Sequence, residues 1–211
     1  MDDALGRIID RADRGLAVVE NRLNLLAGIL IFGLMFWGVI QIFMRTALQK
    51  PIFGYIDVVE VSMVGFAVLA ISYVQRVGGH VRMELFVARL KGRAHWIAEA
   101  AGTALGIFIV AVLIPYSYDH FYRAFEFGDS TIDIEIITWP AKLVVPVALS
   151  ILLVRFVIQL AGYVRLAIDP EREPVAVPLL KDVEAIAEDE ILHAEEDIVQ
   201  EHFSDAEKRG E

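Results

Sequence analysis

The chain has 211 residues, 56% of them hydrophobic, and a mean hydropathy of +0.54. That composition excludes an ordinary soluble domain, and a formal net charge of −10, from 29 acidic and 19 basic residues, argues against nucleic-acid binding, which needs a cationic surface to meet phosphates. With no cysteine, neither a disulfide framework nor a Cys-ligated zinc or iron–sulfur centre can form.

In chain order, Leu5, Ile8, Ile9, Ala12, Leu16, Val19 and Leu23 recur at helical spacing, while Arg7, Arg11, Arg14 and several acids fill the other positions. This predicts an amphipathic helix over 1–23 lying in the plane of a membrane. A crossing helix needs about 20 mostly apolar residues, because each rises about 1.5 Å and the hydrocarbon core is about 30 Å thick. The first span is expected at about 24–44, where Asn24 to Met44 carry no charge between Arg22 and Arg45. This run exceeds the usual about 7 to 15 residues of a signal-peptide core and no A-x-A site follows it, so it reads as a retained span. Three more spans are expected at about 58–75, 97–118 and 141–164; the third contains the uncharged run Ala100 to Tyr118, the second carries Glu60 and the fourth Arg155. Core helices of a soluble domain could imitate the second and fourth, but not beside two long uncharged runs.

Basic residues are sorted to one side. The N-terminal segment, the second loop (Arg76, Arg82, Arg89, Lys91, Arg93) and the start of the C-terminal segment (Arg165, Arg172) hold 11 of them, whereas the opposite side holds 4, Arg45, Lys50, Arg123 and Lys142. Cationic loops stay in the cytoplasm, so both termini are expected there. Trp96 and Trp139 sit at span ends, as interfacial anchors should; Trp37 lies inside the first span. In the second loop, Met83 to about Trp96 reads either as a short amphipathic helix or as a connecting turn. The third loop holds Asp119, Glu126, Asp129, Asp133 and Glu135 against Arg123, either an electrostatic docking patch or a solvated loop.

From Asp169 to Glu211 there are 15 acids and 4 bases, after a linker spaced by Pro170, Pro174 and Pro178. Val183, Ala187, Ile191, Ala194 and Ile198 follow a helical period, so this cytoplasmic tail, 169–211, is either an acidic amphipathic helix or a solvated segment. The membrane body before it, 24–168 with its N-terminal helix, is nearly neutral.

Little in the chain suggests chemistry. Glu190 and His193 form one E-x-x-H pair where a di-iron site needs two, and His80, Arg82 and Glu84 have no nucleophile or second carboxylate beside them. No catalytic, substrate-binding or metal residue and no cofactor is therefore expected. Of the charges within spans, Asp57 and Glu60 lie near the outer end of the second and Glu99 near the inner end of the third. Arg155 is deepest, nine residues before Val164, about 13 Å by helical rise. It is expected to snorkel towards the inner surface with Glu99 as partner, and Glu60 to pair with Lys142 or Arg45. With no charge at the midplane and no repeat or broken helix, the chain is not expected to transport anything alone. Ala98, Gly102 and Gly106 make a small-xxx-small ridge that admits a close helix, from the same bundle or from another subunit.

Three stretches carry a family resemblance: an acidic residue early in span two (DVVEVSMVGFAVLAISYVQR, Asp57 to Arg76), the GGHVRMELF loop (Gly78 to Phe86), and GDSTIDIEIITWPAKLVVPVALSILLVR (Gly128 to Arg155). In order and spacing these resemble the small permease subunit, DctQ-like, of tripartite ATP-independent periplasmic (TRAP) transporters, over roughly residues 20 to 168. The resemblance implies an all-α integral protein of the bacterial inner membrane with four transmembrane helices. It implies partnership with a large permease and a periplasmic solute-binding protein, in sodium-driven uptake of a small organic acid, the small subunit bracing the large one. Candidate partner-interface residues are then Glu60, Gly102, Gly106 and Arg155, and candidate docking residues for the binding protein are Asp129, Asp133 and Glu135. The acidic tail departs from the family's short ending. An unrelated four-helix scaffold or assembly factor is the alternative, and a membrane enzyme using His80 a more distant one.

Overall fold

The architecture is that of a computed structural model whose described residues are 2–78, 93–169 and 175–177. The chain divides into two units, Met1–Pro178 and Leu179–Glu211. The second unit, with Glu190, His193 and the acidic stripe, lies outside the described residues, as do His80 and the second-loop segment from Met83 to Gly92.

The described residues form five helices: α1 (Asp2–Ala47), α2 (Tyr55–Leu69), α3 (Ile71–Arg76), α4 (Arg93–Phe127) and α5 (Trp139–Ile168). Among them the one extended feature is an isolated bridge between Ser130 and Ile137. Four stretches are long and apolar enough to cross a membrane: α1 from Gly6, α2 with α3 over 22 residues, α4 and α5. The all-helical, four-span expectation therefore matches the fold. Ala70, at φ −82° and ψ −13°, marks the joint between α2 and α3.

Helices and packing run past the expected bounds in three places, each for a local reason. No helix end separates 1–23 from 24–44: α1 is one helix of 46 residues, about 69 Å long by its rise, because neither proline nor a cluster of turn-forming residues interrupts Leu23 and Asn24. α4 continues past Tyr118 to Phe127 because that extra length is packed. Phe121 and Phe125 meet the Trp139 ring on α5 at centroid distances of 6.3 and 5.5 Å, both edge-on. The compact unit also runs beyond Ile168 to Pro178. Val175 and Val177 lie against Gly162 of α5, where an added Cβ would come within 2.6 Å of the Val175 carbonyl oxygen. Glycine is thus what lets the chain return onto the helix.

The burial pattern is inverted relative to a soluble domain. Glu20, Asp57, Ser72, Gln75, Arg155 and Gln159 are buried, whereas Phe32, Met35, Phe36, Ile42, Phe43 and Phe108 are exposed. With hydrocarbon as the surrounding solvent this is the stable arrangement, since polar groups must find their partners inside and large apolar side chains lose nothing outside. α4 and α5 form the most extensive helix pair, and α5 also meets α1, α2 and α3.

Candidate functional site

Two polar knots tie the helices together, one at each end of the α2–α3 span. The first surrounds Arg155, the charge that hydropathy alone would place on a surface. It is 1% exposed, and its guanidinium binds Asp13 through Nη1 while its Nε lies 3.5 Å from Glu20 Oε1. Glu20, fully buried on α1, accepts a 2.7 Å hydrogen bond from Ser72 Oγ on α3, and its second oxygen lies 3.4 Å from Arg76 Nε. Arg76 also donates to Asn21. One turn towards the end of α5, Gln159 and Gln75 bond reciprocally: Gln75 Nε2 donates to Gln159 Oε1 at 2.9 Å, and Gln159 Nε2 to the Gln75 carbonyl at 3.3 Å. Two acids and two arginines thus cancel in a low-dielectric interior, where an unpartnered charge would be costly.

Asp13 and Glu20 are seven residues apart and so share one face of α1. That face turns inward, and of the expected apolar stripe Ile9 is buried while Ile8 and Val19 are exposed. Further along, the Arg165 guanidinium packs over the α1 backbone at Gly6, where an added Cβ would lie 2.8 Å from Nη1. The first third of α1 therefore runs antiparallel beside α5.

The second knot centres on Asp57 in the first turn of α2, 3% exposed. Its Oδ2 accepts hydrogen bonds from Thr131 Oγ1 at 2.7 Å and from the backbone N–H groups of Asp133 at 3.1 Å and Ile134 at 2.8 Å. The same Thr131 hydroxyl accepts from Ile136 N–H at 2.9 Å. Next to it Gly54, at φ +76°, leaves room for Ile134; an added Cβ would fall 2.5 Å from Ile134 Cδ1, in a backbone conformation that favours glycine anyway. Gln41 of α1 joins this end by accepting from Ile52 N–H at 2.8 Å. Lys142, in the first turn of α5, binds Asp129 Oδ2 at 2.7 Å.

The sequence candidates are distributed over these features unevenly. Arg155, read as partner-facing and snorkelling with Glu99, lies inside the chain's own bundle and pairs with Asp13 and Glu20, because α1 packs beside α5 at that level. Lys142 pairs with Asp129 in place of Glu60. Glu60 is exposed and has no ion pair among the described residues. The glycine ridge divides: Gly106 faces Phe156, whose ring would lie 3.2 Å from an added Cβ, while the same position at Gly102 is open. Asp133 and Glu135 are exposed, Glu135 at φ +54°. Missed altogether were Asp13, Glu20, Gln75 and Gln159; the seven-residue spacing of the two acids and a glutamine near the end of each of two spans were the available signals. Among the described residues no three His, Cys, Asp or Glu side chains are placed to hold a metal ion.

A multi-span helical membrane protein whose deepest charge, Arg155, is neutralised internally is the class these features define. Residues 31–166 match the family described as tripartite ATP-independent periplasmic transporters, DctQ component, and the chain belongs to that family. The family is a transporter component and not a family of enzymes. A search of curated proteins gives no match.

Replacing Arg155 by Met should leave Asp13 without its cation and the buried Glu20 with Arg76 alone, and destabilise the protein by about 3–5 kcal/mol. The double variant Glu20→Gln, Arg155→Met should recover part of that loss. Thermal unfolding in detergent checks both; additive losses would show that the two groups act independently.

Asp129 gives a pH expectation. The hydrogen bond and charge of Lys142 hold its carboxyl below the ordinary value of 3.8. A depressed carboxylate stabilises the fold fully above its unfolded value and loses that contribution as pH falls through the folded one. Emission of Trp139, read with Trp37 and Trp96 replaced by Phe, should therefore be level from about pH 8 to 5 and change only in stronger acid. In an Asp129→Asn variant that acid transition should be absent.

Proposed function

We propose that this subunit braces the large permease of a TRAP transporter in the bacterial inner membrane, with both termini cytoplasmic. The complex takes up a small organic acid, driven by sodium, from a solute-binding protein in the periplasm. The observation that carries the bracing role is the pairing of Arg155 with Asp13 and Glu20 inside the bundle. A group already neutralised between three helices resists relative movement of those helices and is not free to bind an ion in transit. Sodium and solute sites then belong to the large subunit.

Exposed Arg7, Arg11, Arg14 and Arg22 at the start of α1 suit the anionic lipids of the cytoplasmic leaflet, which supports the orientation. On the lateral surface, Glu60 and Gly102 are the candidates left for contact with the large permease, the first an exposed carboxylate in a span and the second an open notch on α4. At the Asp57 end, Asp133 and Glu135 stand exposed on the loop before α5 and offer the binding protein an acidic docking surface.

Purification of the tagged chain from its native membrane should bring down a large multispanning permease, and Glu60→Leu with Gly102→Leu should reduce that recovery. Isolation of the chain alone would refute the bracing role. For docking, Asp133→Lys with Glu135→Lys should raise the binding-protein concentration needed for half-maximal binding to the assembled complex by about tenfold, the scale of one lost charge contact.

A further inference from the structure

The loop between α4 and α5 is short, acidic and outside the spans, yet its shape is set from another helix. Asp57 Oδ2 takes three donors from it, a hydroxyl and two consecutive backbone N–H groups, and all three distances fall between 2.7 and 3.1 Å. Hydrogen bonds to an ionised carboxylate are shorter and stronger than neutral ones, and this carboxylate is shielded from competing water. Thr131 extends the order inward, since its hydroxyl donates to Asp57 and accepts from Ile136, while its N–H donates to the Ile136 carbonyl at 3.0 Å. The base of the loop is closed by Thr138, whose N–H and hydroxyl both donate to the Asp129 carbonyl at 3.0 Å.

Held between these bonds is Ile132, 96% exposed, the most exposed of the large hydrophobic residues described. Its neighbours Thr131 and Ile134 are turned towards Asp57 and Gly54. A β-branched side chain on a mobile loop could fold back onto the bundle; on a loop bonded at 131, 133 and 134 it is held outward. On either side stand the exposed carboxylates of Asp133 and Glu135 and the half-exposed Asp129. An apolar tip accompanied along its loop by acids is wrong for a bilayer surface, where flanking basic residues would be needed to meet phosphates. It suits a protein cleft with an apolar pit and a basic rim, and a pre-shaped loop spares the ordering cost of docking.

We propose that Asp57 is a positioning residue that fixes residues 131–134 so that Ile132 enters the solute-binding protein as an apolar knob beside Asp133 and Glu135. This rests on the docking role given to that acidic loop and adds to it the anchor and the residue that aims it. Asp57 itself never meets the partner.

The test uses the assembled complex in lipid nanodiscs and its own solute-binding protein, purified with whatever solute it retains and fluorescently labelled. Ile132→Ser and Thr131→Val should each raise the half-saturating concentration by about tenfold, as expected when a central anchor is lost or misplaced. Thr131→Ser, which keeps the hydroxyl, should bind as the unaltered complex does, and Asp57→Asn should weaken binding with the large permease still recovered in full. If Ile132→Ser binds normally while Asp133→Lys with Glu135→Lys weakens binding, the knob is refuted and the docking role stands. If neither weakens it, the docking role fails and the knob with it. Loss of the large permease on Ile132→Ser would move this residue to the subunit interface and also overturn the proposal.

Discussion

Arg155 and the acids of α1, Asp13 and Glu20, are drawn together because a buried charge in a membrane bundle must be neutralised by other side chains. In water each charge could sit at the surface at little cost, whereas in hydrocarbon an unpaired one is strongly unfavourable. Their pairing, completed by Ser72 and Arg76, brings three helical elements to one level: α1, α3 and α5. Much of the remaining architecture follows. α1 cannot peel away after Leu23, since residues on both sides of that position are needed, Glu20 in the polar knot and Gln41 at the far end.

At the opposite end, Asp57 has a comparable task with different chemistry. It binds backbone N–H groups and a hydroxyl in place of a cation, so it orders a loop where Glu20 orders helices. From Asp57 to Ser72 is about 22 Å of helical rise, so the two knots bracket most of the hydrocarbon thickness. Between them the lateral surface is almost wholly apolar. Such a body is tied together at both boundaries, which agrees with the bracing role proposed above.

Much of this was readable beforehand. Four spans, their order and the excess of arginine on one side follow from one-dimensional counts, and the stretches from Asp57 and from Gly128 by themselves resemble the DctQ component. Pairing was not readable. Glu99 looked like the partner of Arg155 because both lie near the same end of their spans, yet level along an axis says nothing about which face points where. Lys142 offers the same lesson: Glu60 was a plausible partner by depth, and Asp129 is the one its ammonium reaches. The small-residue ridge on α4 was legible as a ridge, but Gly106 facing Phe156 and Gly102 facing open space are facts about rotation in the bundle.

By itself, then, the sequence determined what must be in the membrane, since hydropathy is summed along the chain and needs no knowledge of neighbours. It also located the excess acidity in the segment after Asp169, leaving a nearly neutral body. Only the tertiary structure decided that Asp13 and Glu20 of the first segment face α5 while Ile8 and Val19 face outward. An amphipathic stripe has two faces, and which one is buried depends on whether the surrounding medium is water, a bilayer surface or another helix carrying Arg155. That dependence on partners, absent from any single segment, is why Asp13 and Glu20 came to light as the centre of the bundle only when α5 stood beside them.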